Sequence, residues 1–302
     1  MAITAAMVKE LRERTGAGMM ECKKALTESN GDMQAAIEAL RKKGAASAEK
    51  KAGRITAEGI IARYSSGDGK QEVLVEVNCE TDFVAKDDSF VALANKTAKC
   101  IANNHPADVA QLMETAIDDS GESVEHARQA LITKIGENIS VRRFEDWSAN
   151  VDSRLNAYLH GVRIGVLVET TGGRDDLGRD LAMHVAASSP MCVDVSGIDP
   201  ELLEKEKQIF AAQARESGKP EDIIEKMVTG RINKYIKENT LLGQPYVKDQ
   251  DQSVAKLLES EKATVARFLR IEVGEGIEKR EEDFAAEVAA QLKDQEEKKS
   301  KD

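Results

Sequence analysis

The sequence lacks an excess of basic residues, has few aromatic residues and contains no closely spaced pair of cysteines. Asp and Glu outnumber Lys and Arg by 54 to 43, which leaves a net charge of −11, and aromatic residues make up 4% of the 302-residue chain. Binding to a phosphate backbone needs clustered Lys and Arg, so this balance argues against a nucleic-acid-binding protein. The distribution is uneven, because residues 1–53 carry ten basic and seven acidic residues.

Targeting and membrane signals are also missing. No apolar run approaches the ~18 residues of a membrane span, and the start, MAITAAMVKELRERTG, lacks the apolar segment and cleavage site of a secretory leader. The cysteines have no C-x-x-C spacing, which is typical of reduced structural thiols in the cytosol; they are Cys22, Cys79, Cys100 and Cys192. We therefore expect a cytoplasmic protein that contacts no membrane, with a reactive thiol as the alternative.

Motifs for catalysis or nucleotide binding are absent as well. The chain has no G-x-x-x-x-G-K-[ST], G-x-G-x-x-G, G-x-S-x-G or H-E-x-x-H. Its four histidines are isolated, and His184, in the apolar segment DLAMHVAAS, is interpreted as a hydrogen-bonded core histidine. The acidic pairs at 87–88 and 118–119 are interpreted as solvated helix starts. The sequence thus predicts no catalytic residue, no metal site and no cofactor, and it favours an interaction protein over an enzyme.

What is present begins with three predicted short helices over residues 4–43. Thr4 and Asp32 suit the caps of the first and third helices, and T15-G16-A17-G18 interrupts the first. The third helix has one apolar face at the i, i+3, i+4, i+7 spacing: Met33, Ala36, Ile37 and Leu40. RKKGAASAEKKAGR, residues 41–54, is basic and rich in small residues, so we expect a flexible tether there and an N-terminal domain over residues 1–53.

A weak internal repeat fills the middle of the chain. V73-L74-V75-E76 recurs as V166-L167-V168-E169, segment 93–106 resembles 177–190, and SVRRF at 140–144 resembles TVARF at 264–268. Each copy reads as a hairpin, two helices and a strand. This order predicts an α+β fold whose core has two related subdomains, each an antiparallel sheet with helices, over residues 54–147 and over 148–196 with 240–276.

The second copy is interrupted by a predicted helical hairpin at 197–239. Asp199-Pro200 supplies an N-cap and a first-turn proline, a turn is expected at Ser217-Gly218, and apolar positions in both helices predict a coiled-coil arm with possible self-association as a homodimer. A C-terminal helical module is predicted over residues 277–302. Its apolar positions Phe284, Val288 and Leu292 are compatible with docking on the chain's own core or on a partner.

Two pairs of adjacent residues stand out as candidates for partner binding. Asp82-Phe83 follows the strand V73–V77, and it is interpreted either as an ordinary turn with Phe83 packed nearby or as a projecting apolar wedge beside a negative charge. The corresponding turn of the second copy, TTGGRDD, has no such pair, which favours the wedge. Met19-Met20 occupies adjacent helical positions that a thin bundle need not bury together, and Met is adaptable at partner surfaces.

Seven blocks of sequence resemble the elongation factor Ts family. They stand in the family's order and span essentially the whole chain, and R-T-G-A-G-M-M and T-D-F-V-A-K are highly specific. The blocks are LRERTGAGMMECKKAL (11–26), VNCETDFVAKDDSF (77–90), KIGENISVRR (134–143), HGVRIGVLVE (160–169), LAMHVAASSP (181–190), EKEKQ (204–208) and FLRIEVGEGIEKREEDFAAEVAAQ (268–291).

The resemblance implies a guanine nucleotide exchange factor for elongation factor Tu, without covalent chemistry, and an N-terminal domain of the ubiquitin-associated type. It implies that the T-D-F-V turn enters the partner's GTPase domain near the nucleotide's Mg²⁺, and that the N-terminal domain contacts the same GTPase domain. The partner-binding residues carried over are Thr81, Asp82, Phe83 and Val84 in the turn, Met19 and Met20 in the N-terminal domain, and Ile135, Gly136 and His160 in two further turns.

Three other functions remain open at the level of sequence. They are a ribosome-associated RNA-binding factor, an enzyme that uses an isolated thiol or His184, and a holdase that binds unfolded proteins through the helical arm. The acidic balance speaks against the first, and nothing in the motif search supports the second.

Overall fold

A computed structural model describes residues 3–216 and 218–278. Within these residues the chain forms ten α-helices and three small antiparallel sheets, so the α+β prediction is confirmed at this level. The predicted C-terminal module lies outside the described residues apart from 277 and 278, and so does Ser217 of the predicted arm turn. No helix in the described part of the chain is both long and apolar enough to cross a membrane.

The first three helices begin where the sequence predicts. They are α1 (Ala5–Thr15), α2 (Met19–Glu28) and α3 (Met33–Lys51). Thr4 Oγ1 accepts a hydrogen bond from the Met7 N–H at 3.3 Å, and Asp32 Oδ1 accepts one from the Ala35 N–H at 3.0 Å, which satisfies backbone groups that a helix start leaves open. The three helices pack around a small apolar core of their own that includes Leu11.

The predicted tether over residues 41–54 is wrong, because α3 continues to Lys51 and packs on the rest of the protein. Gly44 lies against the backbone of Gln129 in α6 (Val124–Ile135), Ala48 belongs to the core of the first sheet, and Lys51 Nζ donates to the Ile132 carbonyl at 3.4 Å. Small residues here serve close helix–helix approach and helix propensity rather than flexibility.

The first large sheet has strand order β1-β2-β3, with β1 (Glu58–Ser65), β2 (Gln71–Cys79) and β3 (Ile139–Ser148). Between β2 and β3 the chain forms α4 (Asp88–Asn104), α5 (Val109–Glu114) and α6. The central strand β2 is buried along nearly its whole length. α4 covers it with an apolar face that contains Phe90, which is completely buried.

The second large sheet repeats this order as β4-β5-β8, with β4 (Arg154–His160), β5 (Ile164–Thr171) and β8 (Thr264–Glu272). It packs on α7 (Leu177–Ser188). A two-stranded hairpin, β6 (Pro245–Tyr246) with β7 (Asp249–Ser253), and α10 (Val254–Glu261) lead into β8.

In each central strand a buried glutamate is paired with an arginine of the third strand. Arg143 Nε lies 2.6 Å from Glu76 Oε2 in the first sheet, and Arg267 Nε lies 2.7 Å from Glu169 Oε2 in the second. A register shift follows each glutamate directly, between residues 76 and 77 and between residues 169 and 170. The two sheets therefore agree in strand order, buried ion pair and bulge.

The same two glutamates also join the sheets to each other. Glu76 Oε1 accepts the N–H of Gly274, which follows β8 of the second sheet, at 2.8 Å. Glu169 Oε1 accepts the N–H of Asn150, which follows β3 of the first sheet, at 3.2 Å. Each central strand thus holds the segment that leaves the other sheet, which fixes the two sheets relative to one another.

The interrupting segment forms α8 (Pro200–Arg215) and α9 (Glu221–Asn239). Asp199 Oδ1 accepts the Glu201 N–H at 2.9 Å, and Pro200 occupies the first helical position as the sequence predicts. The contacts of Arg215 with Glu221 and of Phe210 with Tyr235 show an antiparallel pair. Its small apolar seam is formed by Ala214, Ile224 and Val228, with Phe210, Ala211, Met227 and Ile232 at its edge.

Candidate functional site

The turn after β2 projects one large apolar side chain into solvent. β2 ends at Cys79, and a short 3₁₀ helix, Val84–Lys86, precedes α4. Phe83, between them, is 82% exposed. The structure therefore contradicts the alternative in which Phe83 packs against its own turn.

The base of this turn is fixed by hydrogen bonds to Thr81. Glu137 Oε2 accepts the N–H groups of Glu80 and Thr81 at 3.2 and 3.0 Å, and Glu137 Oε1 accepts the Thr81 hydroxyl at 2.7 Å. The Cys79 thiol donates to the Thr81 carbonyl at 3.2 Å. Burial, aided by the negative charge of Glu137, raises the pKa of Cys79 to about 12, so this thiol remains a neutral donor.

Asp82 and Phe83 form the exposed tip, whereas Val84 is buried at the foot of the turn. Asp82 Oδ2 accepts a hydrogen bond from Lys86 Nζ at 2.7 Å. That hydrogen bond and the lysine charge hold the pKa of Asp82 below its usual value. The predicted site residues Thr81 to Val84 thus divide into two that reach solvent and two that anchor them.

A second predicted turn lies directly beside the first. Gly136 ends α6 in the left-handed conformation with φ +93°, which glycine adopts without strain, and the chain then places Glu137 under the β2 turn. Ile135 packs against the core of the first sheet. The structure therefore brings the turns at 80–84 and 135–138 together through Glu137.

Met19 and Met20 lie at the start of α2 and are 61% and 75% exposed. Both line a shallow groove of about 420 Å³ between α1 and α2. Basic side chains border this groove: Lys9, Arg12 and Lys23. A groove lined by exposed apolar side chains together with basic ones is suited to an amphipathic partner with acidic residues.

His160 lies at the turn between β4 and β5, where Gly161 has φ +60°. Its ring is exposed, and Nδ1 lies 3.2 Å from the Tyr158 hydroxyl. The turn docks on the first sheet, because the Ile61 N–H donates to the Val162 carbonyl at 2.7 Å. Among the described residues, no hydrogen bond or ion pair joins His160 or the two methionines to the Phe83 turn.

The prediction for His184 is confirmed, since it is completely buried and both ring nitrogens are hydrogen-bonded. The Val247 N–H donates to Nδ1 at 3.2 Å, so Nε2 carries the proton and donates to Gln244 Oε1 at 2.9 Å. Burial lowers the pKa of this histidine.

The cysteines are free, and burial raises the pKa of each thiol, which leaves them poor nucleophiles. In the described part of the chain no cluster of His, Cys, Asp and Glu is arranged to hold a metal ion.

Sequence reasoning missed two residues of the site. Glu137 lies inside the K-I-G-E-N block, but its partner Thr81 is 56 residues away, so the contact could not be deduced from spacing. Lys86 follows Asp82 by four residues across a 3₁₀ turn. The i, i+4 spacing of opposite charges was the available signal for this pair.

Comparisons with known proteins agree on one family. A sequence-family model described as "Elongation factor TS" matches residues 80–275. Relatives named "Elongation factor Ts" include those of Thioalkalivibrio sulfidiphilus and Methylococcus capsulatus, which are 61% and 57% identical over 293 residues, 97% of this chain and 99% of each relative. The protein of the same name from Nitrosomonas eutropha is 56% identical over 290 residues, 96% of this chain and 98% of its own.

Proposed function

The chain belongs to the elongation factor Ts family and is a translation elongation factor, and from this premise we propose that it is the guanine nucleotide exchange factor of elongation factor Tu. In this proposal it binds elongation factor Tu in the GDP-bound and nucleotide-free forms and promotes GDP release. The observation that carries the proposal is the 82% exposure of Phe83 on a turn whose base is fixed by Glu137.

The proposed mechanism uses the geometry of Mg²⁺ in the partner. GDP on a GTPase is held by phosphate contacts and by Mg²⁺, which binds well only in near-ideal octahedral geometry. Phe83 acts as a rigid wedge that separates elements around this ion, and Asp82 disturbs its surroundings without becoming a lasting ligand. Because the Asp82–Lys86 pair is exposed, it is weak and opens at low cost when the turn docks.

The other candidate residues supply binding energy that offsets this distortion. Met19 and Met20 contact the GTPase domain from the N-terminal helices, Gly136 and Ile135 extend the contact beside the wedge, and His160 adds a contact from the second sheet. No covalent bond changes, so the protein acts as an exchange factor and not as an enzyme in the strict sense, and it acts in the cytoplasm with no nucleic acid as direct partner.

The finer architecture belongs to the same proposal. We divide the chain into an N-terminal domain of the ubiquitin-associated type (1–53), two related subdomains (54–147, and 148–196 with 240–276), a coiled-coil arm (197–239) and a C-terminal module (277–302). The shared strand order, bulge and buried Glu–Arg pair of the two sheets support an internal duplication.

Self-association through the arm stays a prediction. Ile209 and Ile223 are exposed on α8 and α9. Sedimentation velocity of the protein and of an Ile209→Glu, Ile223→Glu double variant tests it, with a smaller particle expected for the double variant.

The test of function is the release of fluorescent GDP from purified elongation factor Tu, chased with excess unlabelled GDP. We expect release to accelerate with increasing concentration of this protein until the rate saturates. Unchanged release with folded protein would overturn the proposal. A holdase would bind unfolded clients with or without GDP, whereas an exchange factor is displaced from elongation factor Tu by GDP. An RNA-binding factor would give a salt-dependent shift of RNA.

A further inference from the structure

We propose that Glu137 is a positioning residue for nucleotide exchange: it holds the turn that carries Phe83 in the orientation in which the wedge acts. This inference rests on the proposed exchange function. Glu137 is half-buried behind the tip, so it acts through the turn.

Phe83 has no packing of its own that could set its direction. Its side chain is 82% exposed, so its direction follows from the backbone on either side. On the N-terminal side, that backbone is the Glu80-Thr81 pair, and both of its N–H groups are bonded to Glu137 Oε2. On the C-terminal side, the N–H groups of Val84 and Ala85 return to Thr81, to Oγ1 at 3.4 Å and to the carbonyl at 3.3 Å.

The hydrogen bonds on both sides of Phe83 therefore converge on Thr81, and Glu137 holds Thr81 in place. The hydroxyl bond to Glu137 Oε1, at 2.7 Å, is the shortest of these contacts. The two loops are joined a second time, because Glu80 Oε1 accepts the Asn138 N–H at 2.5 Å and lies 3.3 Å from Arg54 Nη1. Each loop thus supplies one carboxylate that accepts backbone N–H groups of the other loop: Glu137 accepts those of Glu80 and Thr81, and Glu80 accepts that of Asn138.

Such bracing matters because a wedge must retain its direction while it displaces its surroundings. Ordering a mobile backbone costs conformational entropy, and a turn that is ordered before docking does not incur this cost in the complex. Without Glu137 the tip would still be present, but only a fraction of molecules would present it productively.

The second sheet offers a matched comparison. At the equivalent strand exit, Glu261 at the end of α10 accepts the Arg174 N–H at 3.3 Å and pairs with its side chain. Glu137 and Glu261 therefore do similar structural work, but only the Glu137 turn carries an exposed aromatic tip. Glu261→Ala is the control for a merely structural role.

The bracing itself is tested by amide hydrogen exchange on the free protein. In Glu137→Ala, the amides of Glu80 and Thr81 should exchange at least about tenfold faster, while those of β2 keep their protection. Glu137→Gln should restore most of the protection, because one amide oxygen can accept both N–H groups and the NH₂ group can donate to Thr81 Oγ1. Unchanged exchange at these two amides in Glu137→Ala would overturn the bracing.

The consequence for function is tested by stimulated GDP release at saturating concentrations of this protein. We expect Glu137→Ala to lower the maximal rate about tenfold with an apparent KM within about twofold, Glu137→Gln to restore it within about threefold, and Glu261→Ala to leave it unchanged. A wild-type maximal rate in Glu137→Ala, or an equal loss in Glu261→Ala, would overturn the positioning role.

Two safeguards keep the outcomes distinct. If the wild-type protein fails to stimulate release, the proposed exchange function fails, while the hydrogen-exchange result still reports on the bracing. If Glu137→Ala does not fold, Thr81→Val removes only the hydroxyl bonds and should lower the maximal rate about threefold. An unchanged rate in a folded Thr81→Val protein would also overturn the proposal.

Discussion

Phe83 and Phe90 show two opposite uses of a scarce residue type. Phe90 is completely buried under the first sheet, whereas Phe83, seven residues earlier, is 82% exposed. Burying a phenylalanine side chain contributes about 1.5–3 kcal/mol to stability, and the fold does without this contribution at Phe83. A partner that covers Phe83 would recover this contribution on binding.

We predict that Phe83→Ala lowers stimulated GDP release by about tenfold or more, equivalent to ~1.4 kcal/mol. The same change should leave thermal stability nearly unaltered, because exposed substitutions usually stay within about 0.5 kcal/mol. Stopped-flow release of fluorescent GDP and calorimetric melting measure the two effects. Val151→Ala removes another exposed apolar side chain, at 91% exposure, and should change neither. Full stimulation by Phe83→Ala would contradict the wedge.

The tip could be recognised from sequence, but its support could not. The sequence shows an Asp-Phe pair directly after a predicted strand, and the second repeat has no such pair at the corresponding position. The sequence does not show the partner of Thr81, because Glu137 comes close only after α4, α5 and α6 have folded between them. The predicted contact residues also differ in solvent exposure, because Val84 and Ile135 pack against the core of the first sheet. No sequence pattern predicted that these two residues face the core.

At the scale of elements, α3 shows why small residues misled the sequence interpretation. GAASAEKK contains strong helix formers, and its Gly44 and Ala48 lie four residues apart on one face that packs on α6. This packing needs small side chains. A composition rich in small residues is, however, equally typical of a flexible linker and of a closely packed helix, so composition alone cannot distinguish the two. Caps were more reliable, because Thr4, Asp32 and Asp199 satisfy backbone groups only a few residues away.

Gly44→Ala follows as a test of this helix. A Cβ at Gly44 would meet the nearest atoms of Gln129 and Thr133 at 3.7 Å, an ordinary van der Waals distance. We expect stabilisation by about 0.4–1 kcal/mol, because alanine lowers the entropy of the unfolded chain and favours the helix. Urea unfolding measures it. Gly53→Ala, just beyond α3, is the comparison site, and destabilisation by Gly44→Ala would show that α3 and α6 lie closer together than described.

The buried glutamates predict how the sheets respond to acid. Burial alone would raise the pKa of Glu169, but hydrogen bonds from Ser153, Arg267 and the Asn150 N–H outweigh it and lower the pKa to about 2. A carboxylate whose pKa is lower in the folded state stabilises the fold above its unfolded value of about 4.3 and loses this contribution as pH falls towards the folded value.

We therefore predict that Glu169→Gln destabilises the protein at neutral pH and that its deficit relative to wild type shrinks as pH falls from about 4.5 towards 2. Chemical denaturation at a series of pH values measures the deficit. Glu114→Gln, at the exposed last residue of α5, should show no such convergence. A deficit that stays constant over this range would mean that the charge of Glu169 does not contribute as described.

At the scale of the whole molecule, the candidate contacts lie on three separate parts of the fold. Phe83 follows the first sheet, the two methionines lie on the N-terminal helices, and His160 lies at an end of the second sheet. The buried hydrogen bonds of Glu76 and Glu169 hold the sheets together. In a rigid scaffold of this kind, the binding free energy of distant contacts can offset the cost of distorting a partner at one turn.

If Phe83 acts on the nucleotide and the other contacts only supply affinity, different residues should control the coupling between binding of this protein and binding of GDP. If the protein weakens GDP binding to elongation factor Tu by some factor, GDP must weaken binding of the protein by the same factor. We expect Phe83→Ala to reduce this coupling factor about tenfold, or ~1.4 kcal/mol, because in the proposed mechanism Phe83 acts at the nucleotide site. Met20→Ala should instead weaken binding of the protein equally with and without GDP.

Titration of elongation factor Tu with each variant, in the presence and absence of GDP, measures the coupling directly. The ratio of the two dissociation constants should fall for Phe83→Ala and stay at its wild-type value for Met20→Ala, although Met20→Ala raises both constants. Because the ratio cancels any general loss of affinity, a damaged but folded variant cannot imitate the result. If Met20→Ala changed the ratio and Phe83→Ala did not, the N-terminal helices rather than the β2 turn would be the part of the molecule that acts on the nucleotide.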